Sequence, residues 1–303
     1  MDVKKIVRGL SLSNAVLVVW VSVSGLLIPG FYSSETINWQ AQAIGQDAID
    51  LFLISPVLII TTILAARKNN IAFLLWGGVN LYIIYTYIIY CFDIHFNSLF
   101  IIYCLVLGLS FYSFMYFLFS QIKKPITNEI FHRPVVKIIE VYFLIISCLF
   151  CFLWLSEIVP AIIHYRIPKS VIESGLFTNP VQVIDLSIVL PGFFLTSIFL
   201  TKKKPLALLF VPCILVFCVL MDITIGWLII VMKSKGVEAS YFITIIMGVL
   251  SLISVILLIF YLRSLRDSLK QREIKQENIS YFSISNDFPV KNSDFPQNGE
   301  LRH

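Results

Sequence analysis

Two octapeptides hold the first residues in this chain whose type and spacing suggest chemistry. IDLFLISP, residues 49–56, returns as IDLSIVLP at residues 184–191. Each sets an aspartate, Asp50 or Asp185, six residues before a proline, Pro56 or Pro191, inside a long apolar run. An acid in such surroundings is costly, and a functional site is the default reading. The proline removes a helical hydrogen bond and frees carbonyls, which kinks the helix beside the acid. Glu157 and Asp222 are further acids within apolar runs, and Tyr87 belongs to the tyrosine-rich stretch LYIIYTYIIY, residues 81–90. Carboxylates and phenols brought together in low dielectric suit a small cation, a proton or an amine-bearing solute.

The elements that must position these groups are membrane helices. The 303 residues are 58% hydrophobic and 14% charged, with a mean hydropathy of +0.88, whereas a soluble domain is about half apolar and about a quarter charged. Eight apolar runs are long enough to span a bilayer. They lie near residues 12–29, 45–66, 71–91, 97–121, 138–162, 180–201, 206–232 and 239–262. They are continuous, not alternating, so a barrel is excluded and helices remain. The fold class is all-α: a polytopic bundle of eight transmembrane helices.

Charge sets the expected orientation. Of 23 lysines and arginines, 19 fall on the side of the chain termini and 4 (Arg166, Lys169, Lys233, Lys235) on the other. The positive-inside rule then places both termini in the cytoplasm, with the protein in the cell (inner) membrane. The net charge of +5 reflects topology and implies no nucleic-acid partner. The first run is longer than a signal peptide needs and lacks a small-x-small cleavage site near Gly30. The six cysteines lie in or beside apolar runs. Cys148 and Cys151, in C-L-F-C, sit mid-run, where packing explains them better than redox chemistry.

Residues 49–70 and 184–205 align without a gap at an offset of 135, with 7 of 22 positions identical. This predicts two four-helix units of the same orientation, related by an axis along the membrane normal. The expected divisions are a first unit at 1–125, a cytoplasmic linker at 126–137, a second unit at 138–265 and a partly disordered cytoplasmic tail at 266–303, which offers a place for a protein partner. Asp50 lies 17 residues from Arg67, which at about 1.5 Å per residue is about 25 Å along the helix. Asp185, Asp222 and Glu157 reach the same outer third, and Tyr87 occupies the position that matches Asp222. The predicted ligand site is therefore Asp50, Tyr87, Glu157, Asp185 and Asp222. Asp47, Asp93, His95, Asn97, His164 and Arg166 stand just above it.

Structural readings compete. Acids at this depth can pair with nearby polar groups to fix helix packing, and the upper tyrosines can form an interfacial belt. No HExxH, Walker A, GxGxxG or GxSxG motif is present, no histidine lies mid-run, and no cofactor is expected. His95 and His164 have no metal-ligand spacing. GQD (45–47), YTYIIY (85–90), FNSLFIIY (96–103) and DLSIVLP (185–191) resemble a family of multi-pass bacterial membrane proteins to which no activity is assigned. The resemblance implies that the outer polar residues form a recurrent pattern, and it carries over no site. Three functions stay open: binding or transport of a small solute, an accessory membrane subunit, and an intramembrane enzyme acting on a lipid-linked substrate.

Overall fold

The computed structural model describes residues 3–67, 69–122 and 128–287. The described residues form helices joined by short loops: α1 Val3–Leu27, α2 Ile37–Ile49, α3 Ser55–Ala66, α4 Asn70–Asp93, α5 Phe100–Ile122, α6 Pro134–Ile163, α7 Lys169–Ser174, α8 Pro180–Ile184, α9 Leu190–Thr201, α10 Pro205–Ser234 and α11 Tyr241–Asp287. Eight helical stretches are long and apolar enough to cross a membrane, with α2–α3 and α8–α9 each forming one of them. The protein is a multi-pass helical membrane protein.

Burial ranks the helices. In α4 and α10, 67% and 72% of the apolar window is buried, against 22% in α6 and α11. The first two form the centre, packed on each other, and the last two present most of their surface to lipid. Close approach at the centre depends on Gly78, whose hydrogen faces Val216 and the Cys213 carbonyl of α10. Without a hydrophobic drive between helices in lipid, small residues and interhelical hydrogen bonds hold the bundle. Trp76 donates to Ser11 at 2.7 Å, Asn14 to Ser110 at 2.7 Å, and Tyr261 to the Leu208 carbonyl at 2.6 Å. The entry to α4 is capped by Asn69, whose side chain accepts from the Ala72 amide at 3.1 Å. Asn69→Ala is expected to cost about 1 kcal/mol, read as a small drop in the melting midpoint of the detergent-solubilised protein.

Both Asp-Pro segments break helical register in the same way. Asp50–Ile54 and Asp185–Val189 are single π-helical turns, with the Ser55 and Leu190 amides reaching back five residues to the Asp50 and Asp185 carbonyls. Proline has no N–H, and its ring clashes with the carbonyl four residues back. Widening the turn relieves that clash, and such bulges recur at functional sites. No repeat relating the halves as wholes is detected, and the likeness is local to these turns.

Two boundaries differ from the sequence reading. Helix α2 begins at Ile37, well before the apolar run at 45, because its first turns carry Asn38, Gln40, Gln42 and Gln46 and so dilute the hydropathy. Helix α11 continues through NISYFSISND, a stretch expected to be irregular. No proline or glycine lies between Gly248 and Pro289. The rest of the expected tail, 288–303, lies outside the described residues, as do 126 and 127 of the expected linker.

Candidate functional site

A cavity of about 610 Å³ opens among the helices at the face away from the chain termini. Its walls come from α2, α4, α6, α8, α9, α10 and α11 with the Asp185–Val189 turn, and exposed Glu173 of α7 stands at its rim. Asp185, Asp222 and Glu157 all line it. The π turn that begins at Asp185 lies on the α8–α9 wall, and the central helix α10 brings Asp222 to the same cavity.

The three acids are held differently. Asp185 is half-buried and accepts from Trp154 Nε1 at 2.9 Å on one oxygen and from the Tyr85 hydroxyl at 3.2 Å on the other. Glu157 accepts from the Ser170 amide at 2.9 Å, the Ser170 hydroxyl at 3.1 Å and Gln182 Nε2 at 2.7 Å. It ties the short helix α7 and the start of α8 to α6, so its role is to fix the rim. Asp222 is 8% exposed, and its Oδ2 is buried with no hydrogen-bond partner. A buried carboxylate oxygen without a donor costs free energy that nothing in its surroundings returns. Of the acids on the cavity wall, Asp222 is the one left waiting for a partner.

Asp50 and Tyr87 do not line the cavity. The sequence grouped them with the other three by depth alone, and depth says nothing of direction around the helix axis. Tyr87 is two residues, or about 200°, from Tyr85. It turns into the first half of the bundle, stacking on Tyr90 with ring centroids 5.2 Å apart. Tyr85 takes the cavity side, against Phe217 and Asp185. Asp50 is 1% exposed and reaches the cavity only through Gln46, whose Nε2 donates to Asp50 Oδ1 at 2.9 Å and to the Tyr82 hydroxyl at 2.9 Å.

Sequence reasoning missed Tyr85, Trp154, Thr224 and the stripe Asn38, Gln42 and Gln46. A signal for the stripe existed: polar residues every fourth position from 38 to 50 share one helix face. Asp47, placed above the acids, is instead fully buried in the first half, accepting from Tyr32 at 2.7 Å and Tyr90 at 2.8 Å. His95 pairs with Glu35 at 2.8 Å. Among the described residues no three His, Cys, Asp or Glu gather closely enough to hold a metal ion.

The wall chemistry is one-sided. Glu157, Glu173, Asp185 and Asp222 line the cavity, and among the described residues no lysine, arginine or histidine lines it, although Glu173 at the rim is paired with Lys169 at 3.1 Å. Most of the remaining wall is aliphatic or aromatic, including Phe150, Trp154, Phe193 and Phe217. Such a surface can take a positive charge at the acids and an apolar body along the rings. Comparison with known proteins identifies no family: no family model, curated protein or solved structure matches this chain.

Proposed function

We propose that the protein binds, and carries across the membrane, a solute with a protonated amine on an apolar or aromatic body. The observation that supports this reading best is a pocket of about 610 Å³ with Glu157, Asp185 and Asp222 in its wall and, among the described residues, no cation lining it, one acid being unpartnered Asp222. The volume fits a drug-sized organic molecule, for which pockets run about 300–1,000 Å³. The aromatic wall adds cation–π attraction to the Coulombic one. Tyr85 and Trp154 hold Asp185 aimed, and Asp222 supplies a carboxyl group that gains a partner only when the site is filled.

The mouth faces away from the basic loops, so under the positive-inside rule the site loads from outside the cell membrane. The paired π turns before Pro56 and Pro191 are natural bending points for alternating access. They support reading the segments as the relics of a duplicated four-helix unit, 1–125 and 138–265, joined by the 126–137 linker.

Binding is tested on the detergent-solubilised protein by Trp fluorescence and melting midpoint, with phenethylamine, phenethyl alcohol and phenylacetate as probes. The amine is expected to bind and the neutral and anionic analogues to bind at least about tenfold more weakly, since a hydrogen bond to a charged group is worth about 1.5–3 kcal/mol. Asp222→Asn should weaken the amine by about the same factor. Equal binding of all three probes, or an unchanged affinity in Asp222→Asn, sinks the proposal.

A further inference from the structure

A second acidic site lies behind the cavity wall, and we infer that Asp50 is a proton-holding residue whose protonation is tied to the cavity through Gln46, Tyr82 and Thr224. Asp50 is 1% exposed; its Oδ1 accepts from Gln46, and its Oδ2 is buried with no partner. The Tyr87 hydroxyl, on a side chain that is also 1% exposed, is a second orphan facing the same two acids. Two buried polar atoms without partners, in one cluster, mark a place built for something the side chains alone do not supply.

Asp47 and Asp50 are three residues apart on one helix face, which puts their Cβ atoms about 5–6 Å apart. Two carboxylates that close, both buried, do not both stay ionised, because each disfavours the other's charge. Asp47 has the ionised role, since each of its oxygens accepts from a tyrosine hydroxyl. Asp50 has one donor and one empty oxygen, the pattern of a neutral carboxylic acid. The groups facing the pair are Tyr32 from the 28–36 loop, Tyr82, Tyr87 and Tyr90 from α4, and Tyr103 from α5. Among the described residues neither acid has an ion-pair partner.

The connection to the cavity is a continuous line of hydrogen bonds. Gln46 Nε2 lies 2.9 Å from both Asp50 Oδ1 and the Tyr82 hydroxyl, which lies 2.8 Å from the Thr224 hydroxyl. Gln46 and Thr224 both line the cavity, and Thr224 is two residues from Asp222 on α10. A cation that moves Gln46 or Thr224 changes the support of the Asp50 carboxyl, so solute entry and proton release share one network. This coupling rests on the cavity reading above, whereas the proton at Asp50 does not.

The full chain in lipid nanodiscs is titrated by infrared difference spectroscopy. A protonated-carboxyl C=O band is expected at neutral pH, absent in Asp50→Asn, displaced in frequency in Asp50→Glu and retained in Asp222→Asn. Tyr82→Phe should move the titration midpoint of that band by at least half a pH unit. No such band in the wild type, or a band indifferent to both Asp50 substitutions, overturns the proton site. So does sodium, compared with choline, removing the band in an Asp50-dependent way, since the site then holds a metal cation. An unmoved midpoint in Tyr82→Phe overturns the link to the cavity. Failure of phenethylamine to bind overturns the cavity reading alone and leaves the infrared result to decide Asp50.

Discussion

Gly78→Leu is expected to abolish recovery of folded, monodisperse protein, while Gly108→Leu and Gly192→Leu leave it close to wild type. The reason lies at the contact between the two central helices. A Cβ at Gly78 would stand 2.6 Å from Val216 Cβ and 2.9 Å from the Cys213 carbonyl oxygen. The second of these is backbone and cannot rotate away, so α4 and α10 must separate. Overpacking a core costs about 1–3 kcal/mol even when side chains adjust, and here the two most deeply buried spans would move. Gly77→Ala meets the Phe117 ring at 2.8 Å, and because that ring is fully buried it is expected to be destabilising but milder. Nothing lies within 4 Å of a Cβ at Gly108 or Gly192. Size-exclusion profile and melting midpoint across the four variants check the order. A monodisperse Gly78→Leu protein with a wild-type midpoint would show that the central contact is not as tight as its geometry.

The contrast between Gly78 and the apolar runs shows what a sequence of this kind makes legible. Eight spans are written in hydropathy, because the bilayer demands about 20 apolar residues from each, whereas ends such as the start of α2 are blurred by polar residues. The local break before Pro56 and Pro191 was legible too, since proline has a fixed chemical consequence. The azimuth of each polar side chain was much less so. Nearly uniform apolar helices carry little amphipathic signal, and depth was the one coordinate available for Asp50, Asp185, Asp222, Glu157 and Tyr87. Three of those five line one cavity, and the other two turn away from it. Where polar residues were dense, as in Asn38, Gln42, Gln46 and Asp50, the fourfold spacing did specify a face. Asp185 and Asp222 come from consecutive spans, but which faces of them meet the cavity is set by packing and not by the apolar pattern.

The buried acids are expected to respond to substitution with opposite signs, which separates architecture from function without knowledge of any ligand. Asp47→Ala should destabilise strongly. It leaves the Tyr32 and Tyr90 hydroxyls, now 2.7 and 2.8 Å from its oxygens, without an acceptor in the interior. Each buried hydroxyl left unsatisfied costs about 1–3 kcal/mol, so the pair should cost about 2–6 kcal/mol. Gly25 already lacks a side chain because the Asp47 carboxylate occupies that space, which marks the acid as a packed part. Asp222→Leu should do the reverse. It removes a carboxylate oxygen that is buried without a partner and puts an apolar side chain on a cavity wall that already carries Met221, Phe217 and Met247. The gain is of the order of the penalty relieved, about 1–3 kcal/mol, seen as a higher melting midpoint, while phenethylamine binding is lost. Natural sequences sit above a stability threshold and not at an optimum, and sites that need a strained group are where stability is given up. A destabilised Asp222→Leu protein, matched to Asp47→Ala in sign, would make both acids architectural and leave the cavity without its binding carboxylate.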